Sequence, residues 1–210
     1  MNRLLATILS SVCHPLLVPG YLFYVVCYQL PGVVLRPALP DRWLVLGVVL
    51  LFTFVLPSLG TALLLWGGYV SSLELRERRQ RPLPLLLAVI GFGTATLLMG
   101  RYPQAFDMLL VQMMAGMTLA VLLTLLISLR WKISAHGVGM GGAVGLLGLL
   151  FLGAEAGSPI IWWLTGSIVL AGAVMSARLA LNAHTPEQVW AGFGLGASLV
   201  LGFGVGLALS

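Results

Sequence analysis

The amino-acid sequence predicts an all-α membrane protein, a polytopic bundle of six or seven transmembrane helices. Three observations carry that prediction. Hydrophobic residues make up 60% of the 210 and charged residues only 8%, against about a quarter charged in a soluble domain. Mean hydropathy is +1.05. The apolar residues gather in runs of roughly the 20 residues that cross a hydrocarbon core, separated by short polar turns. The chain therefore reads as a single integral membrane domain over residues 1–210, with no soluble appendage expected.

The net charge of +5 does not point to nucleic acid. The basic residues stand in short loops beside apolar runs, where the positive-inside bias and lipid headgroups account for them. Cys13 and Cys27 are not in a CxxC arrangement and read as two buried apolar thiols.

The first span is expected over about Leu4 to Leu30, with kinks at Pro15, Pro19 and Gly20. It has one Arg before an apolar run but no small-x-small cleavage pattern, so it reads as a retained helix. His14 lies within it, and a lone His there reads as a structural hydrogen-bonding residue. A Pro-rich loop with Arg36, Asp41 and Arg42 leads to a second span, about Leu44 to Val70. That span ends in the one charge-dense run of the chain, SSLELRERRQRPLP, holding Arg76, Arg78, Arg79 and Arg81. By itself this run reads as a basic loop at a membrane face.

Spans three and four follow, about Leu83 to Gly100 and Phe106 to Leu129, the fourth carrying Met108, Met113, Met114 and Met117 as a packing or lipid-facing stripe. It ends in Arg130, Trp131 and Lys132, an aromatic and basic interface anchor. Ser134 is a helix-cap candidate for the fifth span, from Gly137 to Gly153, and His136 falls in its first turn. Gly137, Gly141, Gly145 and Gly148 provide a face for close helix approach. The sixth span, about Pro159 to Leu181, carries Arg178 near its end. The seventh, Pro186 to Leu209, opens with Thr185 as cap, Pro186 at the first position and Gln188 as the capping-box residue. His184 lies one residue before that helix start.

Counting spans places the basic run, Lys132 with His136, and Arg178 with His184 after spans two, four and six. All three clusters then fall on one side of the membrane, as a composite site requires. Ionisable residues at the edge of apolar segments are functional candidates by default.

Taken together, the clusters resemble the type 2 phosphatidic acid phosphatase (PAP2) superfamily. Arg81-Pro82 matches the end of its first motif, Ser134-Ala135-His136 its second loosely, and Arg178, five residues and His184 its third, with Val189, Gly192 and Gly196 continuing that motif. There are departures. Glu74 stands at the place of the family Lys, Ala177 replaces the Ser before Arg, Ile133 and Ala135 replace Pro and Gly, and Gln188 replaces Asp. Two apolar spans also separate motifs that the family usually keeps in one loop. The resemblance implies a divergent member with a PAP2-like core. It makes His184 the nucleophile that forms a phosphohistidine, His136 the acid for the leaving alkoxide, and Gln188 the stand-in for the Asp that orients His184.

Phosphoryl transfer is mainly positioning and charge neutralisation. Arg81 and Arg178, with Arg76, Lys132 and Ser134, are the phosphate-binding candidates. Gln188 can accept the hydrogen bond of the absent Asp but brings no charge, whereas Glu187 points roughly 100° away around the helix. Three scattered His without carboxylate partners do not make a metal site, and no cofactor is expected. The partners expected are a lipid phosphate, such as a phosphatidate or a polyprenyl phosphate or diphosphate, and the membrane lipids themselves; a homo-oligomer is left open.

Two other classes compete. A non-catalytic descendant would bind or transport a phosphorylated lipid, and would need the arginines but neither His. A structural or assembly subunit would need none of the clusters. Basic residues outnumber those opposite on the motif side (Arg3, Arg76, Arg78, Arg79, Arg81, Arg130, Lys132 and Arg178 against Arg36, Arg42 and Arg101), so the positive-inside rule places the site in the cytoplasm. The expected location is a bacterial cytoplasmic membrane.

Overall fold

The computed structural model describes the chain except Leu73, Glu74, Arg76, Ala156, Leu209 and Ser210, and the side chains of residues 203–208. The described residues form helices and turns with no strand. Five helical stretches among them are long and apolar enough to cross a membrane: Leu39–Trp66, Arg78–Arg101, Met108–Ser128, Ala135–Leu152 and Ile160–Ala180. The chain is an integral membrane protein. It divides into two compact units, one of Met1–Val18 with Ile133–Ser210 and one of Pro19–Lys132.

The first predicted span is not one kinked helix. Helix α1 (Arg3–Val12) stops after 10 residues, and α2 (Val18–Tyr24) starts only after a break, continuing as a wide π turn over Val25–Gln29. Ten residues rise about 15 Å, half a hydrocarbon core. Pro15 is the reason. It has no N–H to give and pushes the residue before it, His14, out of helical conformation. The His14 ring then takes the place of a helical carbonyl, its Nδ1 accepting the Leu16 N–H at 3.3 Å.

In the Pro19–Lys132 unit, α3 (Arg42–Leu50) and α4 (Leu56–Trp66) form one helical stretch interrupted by a π turn at Leu51–Val55. Pro57 follows that turn and would crowd the carbonyl four residues back in a regular helix, and the wide turn gives it room. Helix α5 (Pro82–Arg101) lays Gly91 on the Phe52 carbonyl of the same turn, where any Cβ would collide. Helix α6 (Met108–Ser128) pairs with α5 through Thr96 and Thr118, whose hydroxyls are 2.8 Å apart. The Met stripe of α6 divides: Met113 and Met114 are buried, Met108 is exposed. At one end Arg42 donates to the carbonyls of Cys27, Val34 and Pro37. Asp107 caps α6 at Leu109 and also accepts the Leu35 N–H.

In the other unit, α7 (Ala135–Leu152) packs between α8 (Ile160–Ala180) and α9 (Pro186–Ala208). The glycines make the α7–α9 contact. A Cβ on Gly137 would meet the Val189 carbonyl at 2.6 Å, and one on Gly192 the Ser134 carbonyl at 2.5 Å; Gly141 lies on Phe193 and Gly196 on Val138 in the same way. These backbones touch with no side chain between them, the arrangement that suits helices in lipid. Gly148 departs from this face: its nearest neighbour is Leu164 of α8. Helix α1 lies against α8, with Cys13 in a buried cluster with Met140, Ala171 and Val174.

Candidate functional site

The site in the Met1–Val18 and Ile133–Ser210 unit is assembled by two helix starts and one helix stop. Helix α8 ends in a Schellman turn. The Asn182 N–H bonds the Leu179 carbonyl at 2.9 Å, and the Ala183 N–H bonds the Arg178 carbonyl at 3.1 Å. Asn182 takes the left-handed conformation, φ 50°, that this turn requires; Asn is one of the few non-glycine residues that adopts it readily. The turn uses the residues between Arg178 and His184 and returns the chain onto the end of α8. The five-residue interval read from the sequence is thus the length of a helix stop followed directly by a helix start.

Helix α9 begins at once. Gln188 is the third residue after Thr185, and its side-chain Oε1 accepts the Thr185 N–H at 3.4 Å, the capping-box contact. The same oxygen lies 2.9 Å from His184 Nδ1. A backbone N–H can only donate, so the amide oxygen faces this point and His184 Nδ1 must be the other donor. The His184 proton therefore sits on Nδ1, and Nε2 keeps its lone pair. Capping and orientation, posed as alternatives for Gln188, are performed by one atom. His184 is buried, at 9% exposure. Glu187 is exposed and hydrogen-bonded by the Thr185 side chain.

Helix α7 joins the site through Ser134, whose N–H bonds the Gln188 carbonyl at 3.1 Å. The Ser134 hydroxyl, fully buried, accepts the Gly137 N–H at 3.2 Å as a helix cap. Two residues on, His136 Nε2 lies 3.0 Å from the Ser10 carbonyl. A carbonyl only accepts, so His136 carries its proton on Nε2. Ser10 is in the last turn of α1, where carbonyls lack helical partners, and His136 supplies one.

His14 is the residue sequence reasoning did not place here. Its ring meets that of His136 edge-on, with centroids 5.9 Å apart. Arg178 is close enough for its charge to act on both rings, and His184 acts on His136. His14 and His136 thus lie within range of the Arg178 charge, and His184 within range of His136. Nothing in the sequence links residue 14 to residues 136–188; the one available signal was a His beside a Pro, where an apolar helix has to break. Among the described residues, no group of three His, Cys, Asp or Glu side chains is placed to hold a metal ion.

Of the predicted site residues, His136, Ser134, Arg178, His184 and Gln188 come together. Arg81 and Lys132 belong to the Pro19–Lys132 unit. Arg81 is buried at the start of α5 and donates from Nε to the Leu75 carbonyl at 3.0 Å, while Arg78 donates to the Leu129 carbonyl and ties the loop to the end of α6. Lys132 is half-buried. Arg76, like Glu74, lies outside the described residues.

The arrangement has a definite chemical capacity. A buried imidazole presents a lone pair from a fixed tautomer, a second imidazole stands beside it, and a guanidinium supplies permanent positive charge. Comparison of the chain with protein-family models, with curated proteins and with solved structures finds no match to any of the three.

Proposed function

We propose that this protein is a membrane-embedded phosphatase or phosphotransferase that acts on a lipid phosphate, of the phosphatidate or polyprenyl phosphate or diphosphate type, without a metal. The observation that carries the proposal is the His184–Gln188 hydrogen bond beside Arg178 and His136. It leaves His184 Nε2 as a neutral nitrogen nucleophile within range of His136, a ring that the Arg178 charge also reaches. The reading includes six or seven membrane spans, a divergent PAP2-like core, and a site on the cytoplasmic side of a bacterial inner membrane, as the distribution of basic residues favours.

In the first step the His184 Nε2 lone pair attacks phosphorus. The P–O bond to the lipid breaks and the leaving oxygen takes a proton from His136. His136 Nε2–H is committed to Ser10, so the proton it gives is carried on Nδ1, taken up there from the ionisable oxygen of the bound phosphate and returned to the departing phosphate at the end of the cycle. Water then attacks the phosphohistidine, His136 Nδ1 takes up the water proton, and the N–P bond breaks to return His184. Arg178 offsets the charge on the equatorial oxygens in both steps.

Gln188 favours a second reading, in which the protein binds or moves a phosphorylated lipid without cleaving it. A neutral amide stabilises the histidinium of the first step less than a carboxylate does. The test is phosphate release by detergent-purified protein from a panel of lipid phosphates and diphosphates, with His184→Ala in parallel. Release that disappears in His184→Ala while the variant stays folded supports catalysis. Release that persists removes His184 as nucleophile. No release, with Arg178→Ala weakening lipid-phosphate binding and His184→Ala leaving it intact, supports the binding protein.

A further inference from the structure

The segment between Ser10 and His14 lies outside every motif considered above. It is nevertheless built against the residues of the site. The Ser10 carbonyl holds His136, and the Ser10 side chain is buried, at 6% exposure, with a hydroxyl that has no hydrogen-bond partner among the described residues. A serine in the last turns of a helix ordinarily bonds a carbonyl one turn back, and a buried hydroxyl left unpaired costs on the order of 1–3 kcal/mol. Ser10 forgoes that bond beside His136, whose ring meets that of His14.

His14 has two ring nitrogens, and one is already assigned. Nδ1 accepts the Leu16 N–H, so in the neutral ring the proton is on Nε2, the nitrogen turned away from its own backbone. The ring of which that donor is part packs edge-on to His136, within range of the Arg178 charge. The structural need at the break is met by Nδ1 alone, so the second nitrogen is available for something else.

The charge balance names the class of ligand. The unit has two glutamates, Glu155 and Glu187. Glu155 follows α7, and is separated from His136 by that helix, about 27 Å at 1.5 Å per residue. Glu187 is exposed and bonded to Thr185. Among the described residues no carboxylate acts on His14 or His136, and imidazole and hydroxyl donors within range of a guanidinium suit an anion with several acceptor oxygens. We infer that the segment Ser10–His14 is a ligand-binding part of this site, with His14 Nε2–H and the Ser10 hydroxyl donating to the phosphoryl oxygens whose charge Arg178 offsets. This rests on the lipid-phosphate reading for the identity of the ligand and extends it to two residues outside the three clusters.

Two substitutions separate binding from structure. His14→Asn keeps an acceptor for the Leu16 N–H, because an Asn side chain bonds the amide two residues on, and removes the ring N–H. Ser10→Ala keeps the helix and the carbonyl that holds His136, and removes only the hydroxyl. The probes are inorganic phosphate and a short-chain phosphonate analogue of phosphatidate, whose C–P bond cannot be hydrolysed. Affinity is read from thermal stabilisation in detergent, which grows with ligand concentration over Kd. His14→Asn should weaken phosphonate binding on the order of 10-fold or more and Ser10→Ala several-fold. Stabilisation by both probes would make free phosphate a sufficient ligand; stabilisation by the phosphonate alone would require the lipid.

Unchanged affinity in a folded His14→Asn and in Ser10→Ala overturns the inference. If phosphate release is lost in His184→Ala while KM is unchanged in both variants, the inference fails and the phosphatase reading stands. If the wild type releases no phosphate but binds the phosphonate, and both variants weaken that binding, the phosphatase reading fails and the inference stands. A wild type that binds neither probe overturns both.

Discussion

Replacing Gln188 by Glu is the most informative single change in this molecule, because it alters charge at constant side-chain length. In the wild type one amide oxygen accepts from Thr185 N–H at 3.4 Å and from His184 Nδ1–H at 2.9 Å. A Glu carboxylate can make both contacts without moving the backbone. A hydrogen bond between neutral groups contributes about 1 kcal/mol and one to a charged group about 1.5–3, so the His184 contact should strengthen by roughly 0.5–2 kcal/mol. Most of that gain falls where His184 carries positive charge, after its lone pair has attacked phosphorus. It therefore lowers the barrier rather than tightening substrate binding. The expected increase in kcat is about 2- to 30-fold, with little change in KM. The new charge also sits in the first turn of α9, where the helix dipole favours an anion by about 0.3–1 kcal/mol, so the variant should melt no lower than wild type. The assay is steady-state phosphate release in detergent, with Gln188→Leu as the opposite control, expected to lose at least tenfold in kcat. An unchanged or reduced kcat in Gln188→Glu, with His184→Ala inactive, would refute the claim that this hydrogen bond sets the reactivity of His184.

Other expectations follow from the packing. Gly192→Leu places a side chain on the Ser134 carbonyl and should cost about 1–3 kcal/mol, read as a lower melting midpoint in detergent; retention of wild-type stability would mean that α7 and α9 are not in backbone contact. Ser134→Ala removes the α7 cap and should cost about 0.5–2 kcal/mol with phosphonate affinity within a factor of two, whereas a direct phosphate ligand would lose far more affinity than stability. Asn182→Gly should be neutral within a few tenths of a kcal/mol, while Asn182→Val should destabilise by about 1–2 kcal/mol and reduce turnover, since the left-handed residue sets the turn that leads from α8 to His184. Arg42→Ala frees the carbonyls of Cys27, Val34 and Pro37 in the other unit and should lower thermal stability by more than about 2 kcal/mol; equal melting midpoints for wild type and variant would count against those bonds.

The helices were legible in the sequence because apolar runs of membrane length have few alternatives in a bilayer. The expected spans from residue 83 to residue 181 agree with α5, α6, α7 and α8 to within a few residues, and the capping-box reading of Thr185 and Gln188 corresponds to an observed bond. The glycine face of α7 was legible in part, since spacing marks a small-residue stripe without naming its partner: Gly137 and Gly141 meet α9, and Gly148 does not. The first span was misjudged for a physical reason. Two prolines can kink a helix or end it, and the outcome depends on what replaces the lost hydrogen bonds; here the His14 ring replaces one, which no pattern along the chain announces. The same fact hid His14 from the site. The grouping of His136, Arg178 and His184 could be anticipated from a motif resemblance, whereas the approach of Ser10 and His14 depends on α1 packing against α8, a contact between segments more than a hundred residues apart.

The Schellman turn at the end of α8 also governs which sequence changes this region can absorb. It restricts the number of residues between Arg178 and His184 and asks for a left-handed conformation at one of them, but otherwise places few demands on their identities. Point replacements at the half-buried Leu181 alter a side chain and leave the path of the chain alone, whereas the buried Ala183 admits only small ones. A single inserted or deleted residue would either break the paired backbone bonds to Leu179 and Arg178 or turn the following helix by about 100° about its axis, carrying His184 and Gln188 together out of register with Ser134 on α7. Lineages that drift freely in residue identity while holding the interval constant are what such a turn permits, and a deep mutational scan that includes indels would record it as a short window tolerant of substitution and closed to changes in length.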